Sequence, residues 1–298
     1  MQGTIDGFGY GAVTPVAAFL MACLGAALGL RCTTRSLRTE RSFKAGWLAL
    51  GATSIGSGIW TMHFIAMVGF TVEEVPIGYD KPITFASLAV AIVMVGIGIF
   101  LVGYRGATRM ALVTGGTITG LGVASMHYLG MAGMRLDGQF EYDTITVSLS
   151  VVIAVVASTA ALWAAVSIHG FLPSLGASVV MGVAVSGMHY TGMAALRVHL
   201  HPAAALTGSS SGSGDSATAL LVPMLIGPVC FLLLAAVVVM FDPLVVMGTP
   251  DWNDPEAVRG DRMPGIPAQR QVPRFGTHAD PASFHSQQRQ DSTQPQDW

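Results

Sequence analysis

The sequence predicts an all-α fold: a polytopic transmembrane helical bundle of seven spans, with three repeated helix pairs and one extra C-terminal span. Of its 298 residues, 52% are hydrophobic and 11% are charged, whereas charged residues make up about 25% of ordinary soluble domains. Seven apolar stretches are long enough to cross a hydrocarbon core of ~30 Å. A motif containing Met and His also occurs three times at a nearly constant interval.

The predicted spans cover residues 12–30, 46–68, 83–103, 110–132, 144–166, 175–196 and 219–241. The first follows a segment without Lys or Arg and precedes arginines, the reverse of a secretory signal peptide, so it is expected to be retained. Residues 1–200 are predicted to form a six-helix membrane domain, 201–218 a flexible outer loop and 219–241 a seventh helix. Residues 242–298, rich in Pro, Gly, Ser and Gln, are predicted to be a disordered cytoplasmic tail.

Basic residues predict the orientation of the bundle. The connections after spans one and three hold seven of them: Arg31, Arg35, Arg38, Arg41, Lys44, Arg105 and Arg109. The opposite side holds Lys81, Arg135 and Arg197. The positive-inside rule therefore places the N-terminus outside the cell membrane and the C-terminus in the cytoplasm. A net charge of -2 with no other basic block argues against nucleic acid and favours the lipid bilayer and membrane proteins as partners.

The repeated motif reads Met62-His63-Phe64-Ile65-Ala66-Met67, Met126-His127-Tyr128-Leu129-Gly130-Met131 and Met188-His189-Tyr190-Thr191-Gly192-Met193. The histidines lie 64 and 62 residues apart, which is the length of two spans with their loops. Random placement of Met and His predicts roughly 0.02 such motifs in a chain of this composition. The chain therefore contains an internal repeat of helix pairs. Duplication of an inert helix pair would give the same count, so a function has to be argued from the residue chemistry.

Each motif places an imidazole and a thioether on one helical face, because the histidine and the second methionine are four residues apart. Three such helices run in the same direction, so the histidines are expected to share one layer near the outer face. An intramembrane histidine needs a partner, and the predicted spans contain no acidic or basic residue to pair with it. Imidazole with thioether suits a soft metal, and Cu(I) is favoured. Packing, with each histidine bonded to a backbone carbonyl, is the structural alternative.

Met188-His189-Tyr190-Thr191 resembles the signature of the MHYT domain family of bacterial integral membrane sensors, and the resemblance covers residues 12–197. It implies a copper site that senses a diatomic gas (O2, CO or NO), with Tyr128 and Tyr190 as further cofactor contacts. The implied metal ligands are Met62, His63, Met67, Met126, His127, Met131, Met188, His189 and Met193. Phe64 and Ala66 depart from the family pattern, so the first repeat is expected to contribute least.

Many members of that family carry fused output domains, and none is recognised in this sequence. The resemblance therefore implies a stand-alone sensor that is not an enzyme and that signals through a separate, unidentified partner. A copper or other metal transporter is the alternative function, although a transporter is expected to show a second ligand layer nearer the cytoplasm. Haem is the alternative cofactor, but it leaves the repeated methionines unexplained. His199 and His201 are a weaker candidate metal pair.

Overall fold

A computed structural model describes residues 5–6, 10–39, 41–72, 77–136, 138–168, 170–200 and 217–241. These residues form seven helices: α1 Val13–Leu37, α2 Arg41–Val68, α3 Lys81–Arg105, α4 Arg109–Ala132, α5 Thr144–Ser167, α6 Phe171–Ala194 and α7 Ala217–Met240. They also form six short strands: β1 Ile5–Asp6, β2 Thr71–Val72, β3 Gly78–Tyr79, β4 Met134–Arg135, β5 Gly138–Tyr142 and β6 Leu196–Leu200. The predicted tail 242–298 and residues 201–216 of the predicted loop lie outside the described residues.

The predicted helical bundle is confirmed, and every predicted span has a helix. Five helices are long and apolar enough to cross a membrane, namely α1, α3, α5, α6 from Leu172 and α7 from Leu221. Helices α2 and α4 do not meet that standard, because Gly, Ser, Thr and His take many of their positions. Both pack between apolar helices, α2 between α1 and α3 and α4 between α3 and α5, so less of their surface has to be apolar. The count of seven crossings stays a prediction.

Several helix ends differ from the predicted ones. Helix α1 runs on to Leu37, and α2 begins at Arg41, so most of the basic residues predicted for this connection lie in helical turns. There the Arg35 guanidinium lies 5.6 Å from the centre of the Trp47 ring, within the range of a cation–π contact. Helix α7 begins at Ala217, two residues inside the predicted flexible loop. Apolar periodicity locates the membrane-facing part of a helix, whereas its polar end turns follow no such pattern.

Six of the helices form a closed ring. Each of α1 to α5 contacts the next helix along the chain, α6 contacts α1, and α7 packs outside the ring against α2 and α1. Helix α2 also contacts α4 and α6, and the three odd-numbered helices α1, α3 and α5 contact one another. The close pairs depend on small residues: a Cβ atom on Gly58 would lie 2.7 Å from the Cα atom of Gly25 in α1. Such approaches replace the hydrophobic driving force that is missing between helices in lipid.

Three two-stranded antiparallel ladders close one end of the bundle. Strand β1 pairs with β2, β3 with β4 and β5 with β6. In each ladder the first strand precedes the first helix of a pair and the second strand follows the second helix. The repeat therefore includes its connections, as strand, helix, helix and strand. These strands are not predicted from the sequence, although β5 alternates half-buried and exposed residues and β6 alternates buried Leu196 and Val198 with exposed Arg197 and His199.

Candidate metal centre

The three motif histidines meet at one point. His63, His127 and His189 each lie five residues before the last residue of their helix, so the C-terminal ends of α2, α4 and α6 come together. The Nδ1 atom of His63 lies 3.0 Å from that of His189 and 3.2 Å from that of His127. The third side of the triangle, from His127 to His189, is 3.3 Å. All three side chains are 1% exposed, so the triangle is closed to bulk water.

Hydrogen bonds among the histidines cannot satisfy this triangle. A ring nitrogen either carries a proton and donates or lacks one and accepts. Three nitrogens of two kinds always include a pair of the same kind, so at least one of the three contacts opposes two protons or two lone pairs. A buried polar contact of that kind costs about 1–3 kcal/mol. A cation among three deprotonated Nδ1 atoms removes the conflict.

The size of the triangle suits a metal ion. The point equidistant from the three Nδ1 atoms lies about 1.8 Å from each, and imidazole–metal bonds are roughly 2.0–2.1 Å long. Three such bonds at tetrahedral angles place the nitrogens about 3.3 Å apart. The observed separations therefore fit a three-histidine site with little movement. Among the described residues, these three histidines are the one group of His, Cys, Asp or Glu close enough together to hold a metal.

Two of the imidazole rings pack directly against glycines on neighbouring helices. A Cβ atom on Gly130 would lie 2.6 Å from Nε2 of His63, and one on Gly192 would lie 2.4 Å from Nε2 of His127. These two Nε2 atoms have no hydrogen-bond partner among the described residues. Metal-binding histidines usually donate this second N–H group to an acceptor that orients the ring. Here the shape of the helix surface orients it instead. Both glycines lie within the repeated motif, but the sequence alone assigns them no role.

The aromatic residue after each histidine packs edge-on against that histidine, with ring centres 4.6, 4.8 and 5.0 Å apart in the three repeats. Phe64 is fully buried, with its ring centre 4.6 Å from that of Trp60. The Tyr128 hydroxyl lies 2.6 Å from Oγ of Ser150 in α5. Because Ser150 donates its own proton to the carbonyl of Val147, Tyr128 is the donor to Ser150. Its phenol proton is therefore committed to a neighbouring helix. Tyr190 is half-buried, with its ring centre 5.0 Å from that of His189.

The first repeat takes a full part in the triangle, because His63 contacts both other histidines. The expectation that the first repeat contributes least to metal binding stays a prediction, although the geometry gives His63 the same place as the other two histidines. The departure from the family pattern is confined to its neighbours, Phe64 and Ala66. Phe64 occupies an apolar core position, and a hydroxyl on that ring would be fully buried.

The motif methionines surround this layer in the core. Five of them are at most 1% exposed and share one apolar cluster with Phe64 and Val123: Met62, Met67, Met126, Met131 and Met188. Met193 is half-buried and packs against the same cluster. The methionines thus give the histidines an apolar, polarisable environment.

The weaker candidates lie apart from the triangle. His199 is exposed on β6, with Nδ1 3.6 Å from a carboxylate oxygen of Glu141 on β5, and His201 lies outside the described residues. Trp60 is fully buried and donates to Oγ of Ser87 in α3. His169, His278 and His285 also lie outside the described residues.

Comparison with known proteins places the repeat among signalling proteins. The family model described as "Bacterial signalling protein N terminal repeat" matches residues 56–115 and 120–178. The chain is 42% identical over 159 residues to the bifunctional diguanylate cyclase/cyclic di-GMP phosphodiesterase MucR of Pseudomonas aeruginosa, covering 52% of this chain and 23% of the relative. It is 35% identical over 185 residues to the cyclic di-GMP phosphodiesterase NbdA of the same organism, covering 60% of this chain and 23% of the relative.

A third relative, the signaling protein YkoW of Bacillus subtilis, is 32% identical over 189 residues, covering 60% of this chain and 23% of the relative. The chain thus spans about a quarter of the length of the curated relatives that it matches. No solved structure matches the chain at a significant level.

Proposed function

We propose that this chain, in which residues 56–115 and 120–178 match the MHYT model of bacterial signalling repeats, is a membrane sensor that binds copper through His63, His127 and His189. The observation that supports this most directly is the buried Nδ1 triangle, with sides of 3.0, 3.2 and 3.3 Å. Three imidazoles that cannot satisfy one another by hydrogen bonds are spaced as ligands of a single ion. The triangle lies at the end of the bundle that the positive-inside rule places outside the cell.

Copper in the Cu(I) state fits the charge of the site better than a divalent ion. None of the seven helices contains an Asp or Glu residue. A divalent cation would therefore be buried with two uncompensated charges, whereas Cu(I) brings one. The motif methionines are the further ligands proposed, because thioethers select Cu(I) over harder ions.

The proposed stimulus is a diatomic gas, O2, CO or NO. Copper held by three histidines supplies a reversible binding position for such a ligand. The protein supplies the ring positions: the imidazoles of His63 and His127 rest directly against Gly130 and Gly192. A change in ring spacing therefore moves the C-terminal ends of α2, α4 and α6 relative to one another. Signalling requires that the ligand favours one of two such packings.

The proposed output is a change in cyclic di-GMP signalling. Two of the relatives named above are cyclic di-GMP enzymes, and their similarity to this chain is confined to the repeat region. The described bundle is proposed as the sensing part and not as an enzyme. Its signal would pass to a protein or domain that makes or degrades the dinucleotide.

Metal analysis of the purified protein in mild detergent tests the metal site. Loading with Cu(I) should give about one ion per chain, and His127→Ala should lower the Cu(I) affinity at least ten-fold because it removes one of three ligands. His199→Ala is the matched control, since this exposed histidine lies at the same end of the bundle, and it should bind like the unmodified protein. A chain that takes up no Cu(I), or a His127→Ala variant that binds normally, contradicts the proposal.

A metal transporter is the second candidate function, and a flux assay separates it from the sensor. Below the triangle the described residues hold no second histidine cluster, which favours holding a metal over moving it. Reconstituted in proteoliposomes with Cu(I) on one side, the chain should give no flux above that of empty vesicles. Flux that depends on His63 would establish transport.

A further inference from the structure

An apolar cavity of about 40 Å³ lies in the core of the bundle, next to the histidine layer. Its lining includes the residue four positions before each motif histidine (Ile59, Val123 and Val185) and the residue eight positions before it (Ile55, Thr119 and Met181). Residues four apart share a helical face, and four residues span about 6 Å of helix. The cavity therefore lies one to two turns below the Nδ1 triangle, between the three motif helices. We call it the axial cavity.

The axial cavity touches the motif itself. Met188, which directly precedes His189, belongs to its lining and is 1% exposed. Thr119 also lines it, and its hydroxyl oxygen is buried with no hydrogen-bond partner among the described residues. Apart from the hydroxyls of Thr119 and Ser158, the lining side chains are apolar.

The chemistry of the lining selects the occupant. A volume of roughly 10–15 Å³ is enough for one water, but a stable water needs two to four polar partners, and apolar cavities stay dry. The axial cavity is large enough for a molecule of two heavy atoms, and its two hydroxyls only reach the minimum number of partners that an ordered water needs. It therefore suits a small, uncharged, apolar molecule.

The wall of the axial cavity is least buried on one side. The lining residues from α2, α3 and α4 are all buried, whereas the half-buried ones belong to α5 and α6: Ala157, Ala161, Met181, Ala184 and Val185. Three of these five are alanines, so the wall between α5 and α6 is thin as well as partly exposed. The outer side of that wall faces the lipid that surrounds the bundle.

The other approach to the histidines is obstructed. At the C-terminal ends of the motif helices, the ladder strands contribute buried apolar side chains, including Val72, Tyr79, Met134 and Val198. These residues belong to the same apolar cluster as the motif methionines. A ligand that comes from the aqueous side must cross this layer, whereas one dissolved in the membrane reaches the thin wall directly.

We propose that the axial cavity is a binding site for a small apolar molecule that enters from the lipid between α5 and α6 and approaches the histidine triangle from below. The binding of such a molecule in the cavity depends on the cavity alone. Its delivery to a metal at the triangle rests on the function proposed above.

Paramagnetic relaxation by dissolved O2 tests the cavity in the metal-free protein. With 13C-labelled methionine methyl groups in lipid nanodiscs, O2 should relax the methyl of Met188 several-fold faster than those of Met126 and Met131. Those two methionines are as deeply buried as Met188 but do not line the cavity, so burial is matched. Equal relaxation of all three methyl groups would show that the cavity admits no such molecule.

Two variants test the route. Ala161→Phe, or Ala184→Phe if the first is poorly folded, fills the thin wall and should return the relaxation of Met188 to the level of Met126. Val152→Phe is the control, because it adds the same ring to an exposed position of α5 and should leave Met188 unchanged. An unchanged Met188 in both wall variants would overturn entry between α5 and α6.

The delivery step is measured separately on Cu(I)-loaded protein. Ala161→Phe should slow CO association at least five-fold, while the copper content stays the same and Val152→Phe binds CO at the normal rate. An unchanged CO rate would overturn delivery through the cavity. A chain that binds no copper would contradict the proposed function, whereas the O2 result on the metal-free protein would still decide the cavity.

Discussion

At the scale of the residue, shape holds the histidine rings where hydrogen bonds usually would. A Cβ atom on Gly192 would lie only 2.4 Å from Nε2 of His127, so the ring fills the space that the glycine leaves open. This Nε2 atom has no hydrogen-bond partner among the described residues. A ring positioned in this way is sensitive to one added methyl group. It also responds to movement of the helix that carries the glycine, which a sensor requires.

Gly192→Ala should therefore destabilise the protein and weaken Cu(I) binding. In a helix interior, Gly→Ala normally stabilises by about 1 kcal/mol, so a lower thermal midpoint for this variant has the opposite sign to helix propensity. Gly187→Ala in the same helix is the matched control, because its Cβ atom would meet nothing within 4 Å, and it should be neutral or stabilising. Thermal unfolding in detergent and Cu(I) titration measure the two effects. If the two variants behave alike, the glycine does not position His127.

At the scale of the element, a backbone hydrogen bond joins the N-cap of the first helix to the C-cap of the second in two of the three helix pairs. The backbone N–H of Asp80 donates to the carbonyl of Gly133, and that of Asp143 donates to the carbonyl of Ala195. Each aspartate is the N-cap of the first helix of its pair, and each acceptor is the C-cap of the second. The first pair differs, because α1 has Ala12 at this position and no side-chain cap. Among the described residues, the second and third pairs thus share a hydrogen bond between their caps that the first pair lacks.

The cap at Asp143 predicts a pH dependence of stability. Its side chain accepts hydrogen bonds from the hydroxyl and the backbone N–H of Thr146, and these bonds hold the pKa of the carboxyl below its ordinary value. Because the carboxyl has a lower pKa in the folded than in the unfolded chain, its ionised form stabilises the fold at a pH above the unfolded-state pKa of about 3.9. This stabilisation is lost as the pH falls towards and through the folded-state pKa. Asp143→Ala should therefore lower the thermal midpoint at neutral pH.

The difference between Asp143→Ala and the unmodified protein should shrink as the pH falls below about 4. Asp143→Asn retains an acceptor for the same N–H group and is the control; it should lose less stability at neutral pH than the alanine variant. Thermal unfolding in detergent across the pH range measures both. A deficit of the alanine variant that stays constant with pH would show that the ionised carboxylate does not act as the cap.

The sequence predicts the helices of this bundle better than their connections. His63, His127 and His189 lie at the same distance from the ends of parallel helices. That equal spacing is enough to predict that they share one layer, because equivalent positions of repeated helix pairs lie at the same depth in the membrane. Four of the six strands have only two residues, too few for a period of two, and in the two five-residue strands the alternation is brief. Which imidazole nitrogens face inward depends on where Gly130 and Gly192 fall on neighbouring helices. No pattern within one helix contains that information.

At the scale of the whole molecule, charge and chemistry are separated between the two ends of the bundle. The ends of α1 to α4 opposite the histidines carry Arg35, Lys44, Arg105 and Arg109, and Lys44 lies 5.1 Å from the ring centre of Tyr104. The histidine end carries the three ladders. The positive-inside rule applies to the first end and predicts that it is cytoplasmic. The candidate metal centre is then supplied from outside the cell, or through the membrane.

Cysteine accessibility in intact cells tests this orientation. In a chain whose Cys23, Cys32 and Cys230 are replaced by alanine, Gln139→Cys places a thiol on the exposed side of β5 at the histidine end. Ala107→Cys places one in the exposed connection between α3 and α4 at the basic end. A membrane-impermeant maleimide should label Gln139→Cys in intact cells, and Ala107→Cys only after the membrane is permeabilised. The reverse pattern would place the histidine triangle at the cytoplasmic face, where glutathione competes for Cu(I), and would make an external source of the metal untenable.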